Sequence, residues 1–185
     1  PLLAAYAVGF CVLFSQVAAF TYAGLYLGLP PFSLGPAALG TLYMVFLLAL
    51  IVIPIAGRLS KSRPHAELLS VAAVLGISGS ALTLVPALWC IVVGLALSST
   101  GVFLAQAAAN AFTTASAGDD KAGAVGVYLT CYYLGGSCGA IAPALIWERW
   151  GWAGCVALII AFQVLTLLIA LTGWKPLKPE LIPTP

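Results

Sequence analysis

The sequence predicts an all-α membrane protein built of six transmembrane helices, and three observations carry that expectation. Hydrophobic residues make up 63% of the 185 and charged ones only 6%, with a mean hydropathy of +1.13. A folded surface of this composition cannot be covered by polar side chains in water. No charge precedes Arg58, and none falls between Glu67 and Asp119. The apolar runs are continuous rather than alternating, and each far exceeds the ~10 residues of a spanning β-strand, so helices are the spanning element.

A hydrocarbon core about 30 Å thick takes about 20 apolar residues per helix, and breakers inside the runs set the boundaries. The first helix, residues 2–27, closes at Leu29-Pro30-Pro31, because proline lacks an amide donor and disfavours helix in the residue before it. Its run is too long for a signal-peptide core and has no basic flank. The chain opens on Pro1 without methionine, so it is expected to be a fragment of a longer protein. The second helix, residues 36–57, starts at Pro36, a favoured first-turn residue, and stops at Gly57. A loop from Gly57 to Glu67 then holds Arg58, Lys61, Arg63 and the only histidine, His65. The third helix, residues 68–85, is stopped by Pro86, and the fourth takes residues 87–112. Residues 113–122 are small and polar around Gly118-Asp119-Asp120-Lys121 and read as a loop. The fifth helix, residues 123–147, passes through the turn Glu148-Arg149-Trp150-Gly151 to the sixth, residues 152–172. The proline-rich residues 175–185 form an extended or disordered tail.

Charge sets orientation. If the loop with Arg58, Lys61 and Arg63 is cytoplasmic, alternation brings Lys121, Lys175 and Lys178 to the same side and leaves only Arg149 opposite. That is the positive-inside bias, and it makes the Gly57 loop a topology anchor with both ends of the segment cytoplasmic. The basic residues are dispersed without interleaved aromatics, which argues against nucleic acid as a partner.

The five cysteines, Cys11, Cys90, Cys131, Cys138 and Cys155, all fall inside expected helices, are odd in number and show no C-x-x-C spacing. They indicate neither a disulfide framework nor a metal site, and read as small packing residues. A single histidine makes no metal centre either. No cofactor and no metal are expected.

The two halves of the chain repeat one another. Tyr43 and Tyr132 stand the same distance before Pro54 and Pro143, with Arg58 and Arg149 soon after. "FSQVAAFT" (Phe14 to Thr21) in the first helix and "FLAQAAANAFT" (Phe103 to Thr113) in the fourth lie at nearly the same offset. Three helices followed by three related ones of opposite topology are two inverted three-helix repeats.

"YYLGGSCG" followed by "WERWGW", within Tyr128 to Leu158, is similar to the eleventh and twelfth helices of the drug:proton antiporter-like branch of the major facilitator superfamily, notably its YnfM-type permeases. The chain resembles the C-terminal six-helix half of such a transporter over its whole length. In the Gly57 loop, Gly57, Leu59 and Ser60 fit the family's G-x-L-A-D-R-x-G-R-R pattern. Lys61 stands where the family has its aspartate, Ser62 where it has a basic residue and Pro64 where it has glycine, so the aspartate's gating role is not carried over.

The resemblance implies an integral protein of the bacterial inner membrane that moves a small organic solute, in the efflux direction, by alternating access with an N-terminal half. It implies that the first and fourth helices line the central cavity, the second and fifth meet the other half, and the third and sixth face lipid. Partners would be the small-molecule substrate, the bilayer and that N-terminal half.

Independently, spacings of three, four and seven residues stack Ser99, Gln106 and Asn110 on one face of the fourth helix. Ser15, Tyr22 and Tyr26 align on the first, with Gln16 beside them. Amides in hydrocarbon are costly unless they face a cavity or a partner. Hydrogen bonds to neighbouring helices would also satisfy them, but the related placement of Gln16 and Gln106 in two repeats favours a cavity. Ser15, Gln16, Tyr22, Ser99, Gln106 and Asn110 are therefore the substrate-binding candidates. Tyr43, Tyr128 and Tyr132 read first as packing and second as ligand contacts. Gly135 and Gly139 form a G-x-x-x-G stripe for close helix approach, expected with Tyr132 to face the other half, with packing inside this half as the alternative.

No acidic residue falls in the middle of an expected helix, so any proton-coupling residue is expected in the missing half, or coupling is absent. Gly76-Ile77-Ser78-Gly79 resembles the nucleophile string of intramembrane serine proteases. His65, at the far end of the same helix about 20 Å away by the rise per residue, is out of reach as its base. No catalytic residue is assigned, and a structural or channel-like bundle stands as a further alternative.

Overall fold

The computed structural model describes residues 2–174, the side chain of Lys61 excepted, and the expectations for residues 175–185 lie outside the described residues. Among the described residues the chain is helical without a strand, and six helices are long and apolar enough to cross a membrane: α1 (Leu2–Gly28), α2 (Pro36–Ser60), α3 (His65–Leu82), α4 (Leu88–Ser116), α5 (Lys121–Ile141) and α6 (Ala144–Gly173).

α1 occupies the middle. It packs on α4, α5 and α6, while α3 lies against α4 and α6. One core cluster joins Val8, Val12, Leu69, Val102, Phe112 and Tyr128. The other joins Phe14, Tyr22, Leu95, Trp152 and Ile159. The share of buried residues separates the helices sharply: 56% of the most apolar stretch of α1 is buried, but 6% of that of α2. α2 therefore stands at the edge of the bundle, with Met44, Leu47, Leu50 and Ile51 all exposed.

The most extensive helix contact, α3 on α4, crosses at glycines. A Cβ added to Gly94 would lie 2.6 Å from the carbonyl oxygen of Gly79, and one on Gly101 would lie 2.7 Å from the amide nitrogen of Gly76. Only bare backbone fits there, and with no hydrophobic drive between helices in lipid such close van der Waals contact carries the association.

Several boundaries differ from the sequence expectation, each for a local reason. The basic loop shrinks to a turn at Arg63 and Pro64, because helix continues through Gly57 to Ser62 and resumes at His65 with Pro64 in the N-cap position. Arg58 thus lies in the last turn of α2 and Lys61 in the helical residues just past it, rather than in a free loop. Arg63 pairs with Glu67 at 3.1 Å, but both side chains are about half exposed or more, so the pair adds little stability. α4 runs on to Ser116, and Asp120 caps α5 by accepting the Gly123 amide at 2.8 Å. α5 ends at Ile141 because Pro143 offers no amide to the preceding turn. Helix resumes when the amides of Ile146 and Trp147 donate to the Pro143 carbonyl at 3.0 and 2.8 Å. α6 is itself broken by a kink at Gly151, whose φ of 56° and ψ of −147° suit a residue without a side chain.

Candidate functional site

Residues at 13, 16, 17, 20 and 21 share one face of α1 by helical spacing, and that face borders a recess of about 380 Å³. α2 adds Tyr43 and Phe46, α4 adds Phe103 and α5 adds Tyr132. The aromatic wall is continuous: Phe20 lies 4.5 Å from Phe46 and 5.6 Å from Tyr43, and Phe46 lies 6.2 Å from Phe103, centroid to centroid. Gln16 is the amide of this site. Its Nε2 donates to the Ser99 hydroxyl across the α1–α4 contact at 3.1 Å, and both residues are buried.

Of the six expected cavity residues, the structure brings only Gln16 and Ser99 together here. Ser99 sits one bond behind the wall. Ser15 lies on the neighbouring face of α1 and donates to the Cys11 carbonyl of its own helix at 2.9 Å. Tyr22 donates to the Ala140 carbonyl at 3.0 Å, tying α1 to the last turn of α5 just before the Pro143 break. Gln106 is half-buried, outside the residues that line the recess. Asn110 is exposed and borders a second recess of about 490 Å³, with Thr114, Gly57 and Lys121, at the end of the bundle that carries the basic cluster.

Within this bundle, the three residues expected to face the other half have distinct surroundings. Tyr132 lines the aromatic recess and is mostly buried. Gly135 and Gly139 pack inside this bundle: a Cβ on either would run into the backbone of Phe10 or Phe14 on α1. The stripe serves the α1–α5 contact, since its two glycines project toward α1 rather than away from the bundle.

A second polar cluster, centred on Gln163 of α6, escaped the sequence reading. Gln163 Nε2 donates to Ser80 at 3.2 Å and to Ser98 at 3.3 Å, and the two serines lie 3.2 Å apart. All three are buried between α3, α4 and α6. Trp152 Nε1 donates to the Thr83 carbonyl at 3.1 Å nearby. The available signal was that Gln163 is the sole amide side chain between Trp152 and Trp174. Phe20, Phe46 and Phe103 carried no such signal, because a helix aromatic reads equally as packing. Ser78 donates into its own helix, to the Val74 carbonyl at 2.6 Å, and His65 stands edge-on to Phe112 at the far end of α3. Among the described residues no group of three or more His, Cys, Asp or Glu is placed to hold a metal ion.

Six apolar helices, four of which border an aromatic-lined recess with a single amide, define an integral membrane protein with room for a small solute. Comparison with known proteins points the same way. The chain is 29% identical over 170 residues, 92% of its length and 41% of the relative's, to a protein named as an uncharacterized transporter of Buchnera aphidicola subsp. Schizaphis graminum. It is 28% identical over 162 residues, 87% of its length and 40% of the relative's, to another of Buchnera aphidicola subsp. Baizongia pistaciae. It is 29% identical over 161 residues, again 87% and 40%, to the uncharacterized MFS-type transporter YybF of Bacillus subtilis. The chain thus spans about two-fifths of the length of these curated relatives. No protein-family profile and no solved structure matches it. The chain is similar to bacterial transporters, one of them of the major facilitator type.

Proposed function

We propose that the chain is the C-terminal half of a secondary transporter that moves a small organic solute by rocking against a second, N-terminal bundle. The observation that carries this reading is the alignment of nearly the whole chain with only two-fifths of each transporter relative, which leaves length for a second bundle. The exposed apolar face of α2 and the recess beside it supply a surface for that bundle to cover and a space for a solute between the two. Arg58, Lys61 and Arg63 then mark the cytoplasmic side of a bacterial inner membrane, with both ends of the segment on that side. The resemblance to YnfM-type permeases favours efflux.

The test is protein-dependent flux of a panel of uncharged and charged aromatic solutes in proteoliposomes holding the full-length protein. Flux above that of protein-free vesicles is expected, and Gln106→Ala or Asn110→Ala is expected to lower it severalfold without changing insertion. The absence of any protein-dependent flux would overturn the reading. Normal flux in both variants would remove those two side chains from the solute's path.

A further inference from the structure

The aromatic recess has a chemistry of its own. Its volume of about 380 Å³ lies at the small end of the ~300–1,000 Å³ of small-molecule sites, which suits a compound of one or two rings. Phe20, Tyr43 and Phe46 form a triangle with centroids 4.5 to 5.6 Å apart, and Phe103 and Tyr132 extend the wall. Offset and edge-on contacts with such rings favour a flat aromatic guest.

No charged side chain lines the recess. The acidic residues among those described, Glu67, Asp119, Asp120 and Glu148, lie at helix ends or turns. A charged guest would lose its hydration here with ring faces and a few neutral polar groups in return, and cation–π contact offsets only part of that loss.

The polar groups at the recess are the Gln16 amide and the hydroxyls of Thr21, Tyr43 and Tyr132, and Gln16 is the one amide among them. Gln16 commits its Nε2 to Ser99, which holds the amide in place and leaves the carbonyl oxygen as an acceptor beside the recess that Gln16 lines. An acceptor held in an otherwise largely apolar wall favours a guest that carries a donor.

We infer that the recess binds an uncharged aromatic compound of one or two rings that carries an N–H or O–H, with its rings on Phe20, Tyr43 and Phe46 and its donor bonded to Gln16 Oε1. The inference rests on the transport reading for how the compound reaches the site and for the second bundle that closes it. It is a selectivity rule: methylating the donor or charging the compound disfavours binding.

Equilibrium dialysis of the full-length protein in lipid nanodiscs, with empty nanodiscs subtracted, tests this with indole, N-methylindole and tryptamine. Indole is the uncharged donor, N-methylindole keeps the rings without the donor, and tryptamine adds an ammonium group. Saturable indole binding is expected, with the other two at least about tenfold weaker. Gln16→Leu should lower indole affinity to that of N-methylindole and leave N-methylindole unchanged, whereas a folding defect would lower both. Phe46, 36% exposed at the bundle edge, can be removed without opening a core, and Phe46→Ala should weaken indole roughly fivefold.

Absence of saturable indole binding, tryptamine or N-methylindole binding as tightly as indole, or an unchanged preference in Gln16→Leu would overturn the inference. Flux of the same compounds separates it from its premise. Protein-dependent movement of tryptamine without indole would overturn the ligand class and keep the transporter. Selective indole binding with no flux of any of the three would support the ligand class and remove the transporter.

Discussion

Replacing Gln163 by leucine tests how α6 is held to α3 and α4. Leucine keeps most of the volume of glutamine, so the change removes hydrogen bonds with little cavity. The side chain donates to Ser80 at 3.2 Å and Ser98 at 3.3 Å, with a weaker return contact from Ser80 to Oε1 at 3.4 Å. A side-chain hydrogen bond between membrane helices is worth about 0.6 kcal/mol on average. Two good bonds therefore predict a loss of about 1 kcal/mol. The serines lose less than that figure implies, because they remain within 3.2 Å of one another. Gln163→Ala removes the same bonds and leaves a void beside Gly76, raising the expected loss to about 2–3 kcal/mol. Reversible unfolding in mixed detergent and sodium dodecyl sulfate micelles reads both values. Pairing Gln163→Leu with Ser98→Ala closes a double-mutant cycle in which the combined loss should fall short of the sum. A leucine variant as stable as the parent, or strictly additive losses, would refute the claim that this amide joins three helices.

Two further substitutions can be read in the same unfolding assay. Gly139→Ala would press a methyl group onto the Phe14 backbone and should cost about 1–3 kcal/mol. Gly126→Ala, where an added Cβ meets nothing, should be neutral or slightly stabilising, and equal effects of the two would contradict the α1–α5 contact. The Tyr128 hydroxyl is buried without a hydrogen-bond partner among the described residues, so Tyr128→Phe should gain about 1 kcal/mol. A clear loss would show that the hydroxyl has a partner in the working protein.

The long-range plan of the chain was legible because hydrocarbon imposes it residue by residue. Backbone amides in lipid must bond within their own segment, so every long charge-free run becomes a helix wherever it ends up. Local chemistry carried further detail where one residue decides it. The turn read at Glu148 to Gly151 meets a kink at Gly151, whose φ of 56° suits few other residues. Pro143 gave a weaker signal. Proline within an apolar run is compatible with a continuous kinked helix or with a break, and the structure ends α5 at Ile141.

The candidate site was legible only in part. The amide of Gln16 announced itself by its cost in lipid, but the choice between cavity and helix partner was a false alternative: the donor end bonds Ser99 while the residue borders the recess. Gln106 and Asn110 share a helical face with Ser99 in sequence, yet Asn110 opens into a different recess nearer the end of the bundle. Ser99 and Asn110 are eleven positions apart on α4, roughly 16 Å by the rise per residue, so a shared face did not mean a shared cavity.

By itself, the sequence determined that this is a six-helix membrane protein, because burial in lipid depends on the summed hydropathy of each run and on the placement of a few breakers. The tertiary structure alone decided which side chains meet. Partners such as Gln16 with Ser99, or Gln163 with Ser80 and Ser98, depend on how each helix is rotated and how closely its neighbour approaches. Those quantities are set by glycine contacts such as Gly79 on Gly94 and Gly139 on Phe14, which join residues far apart along the chain.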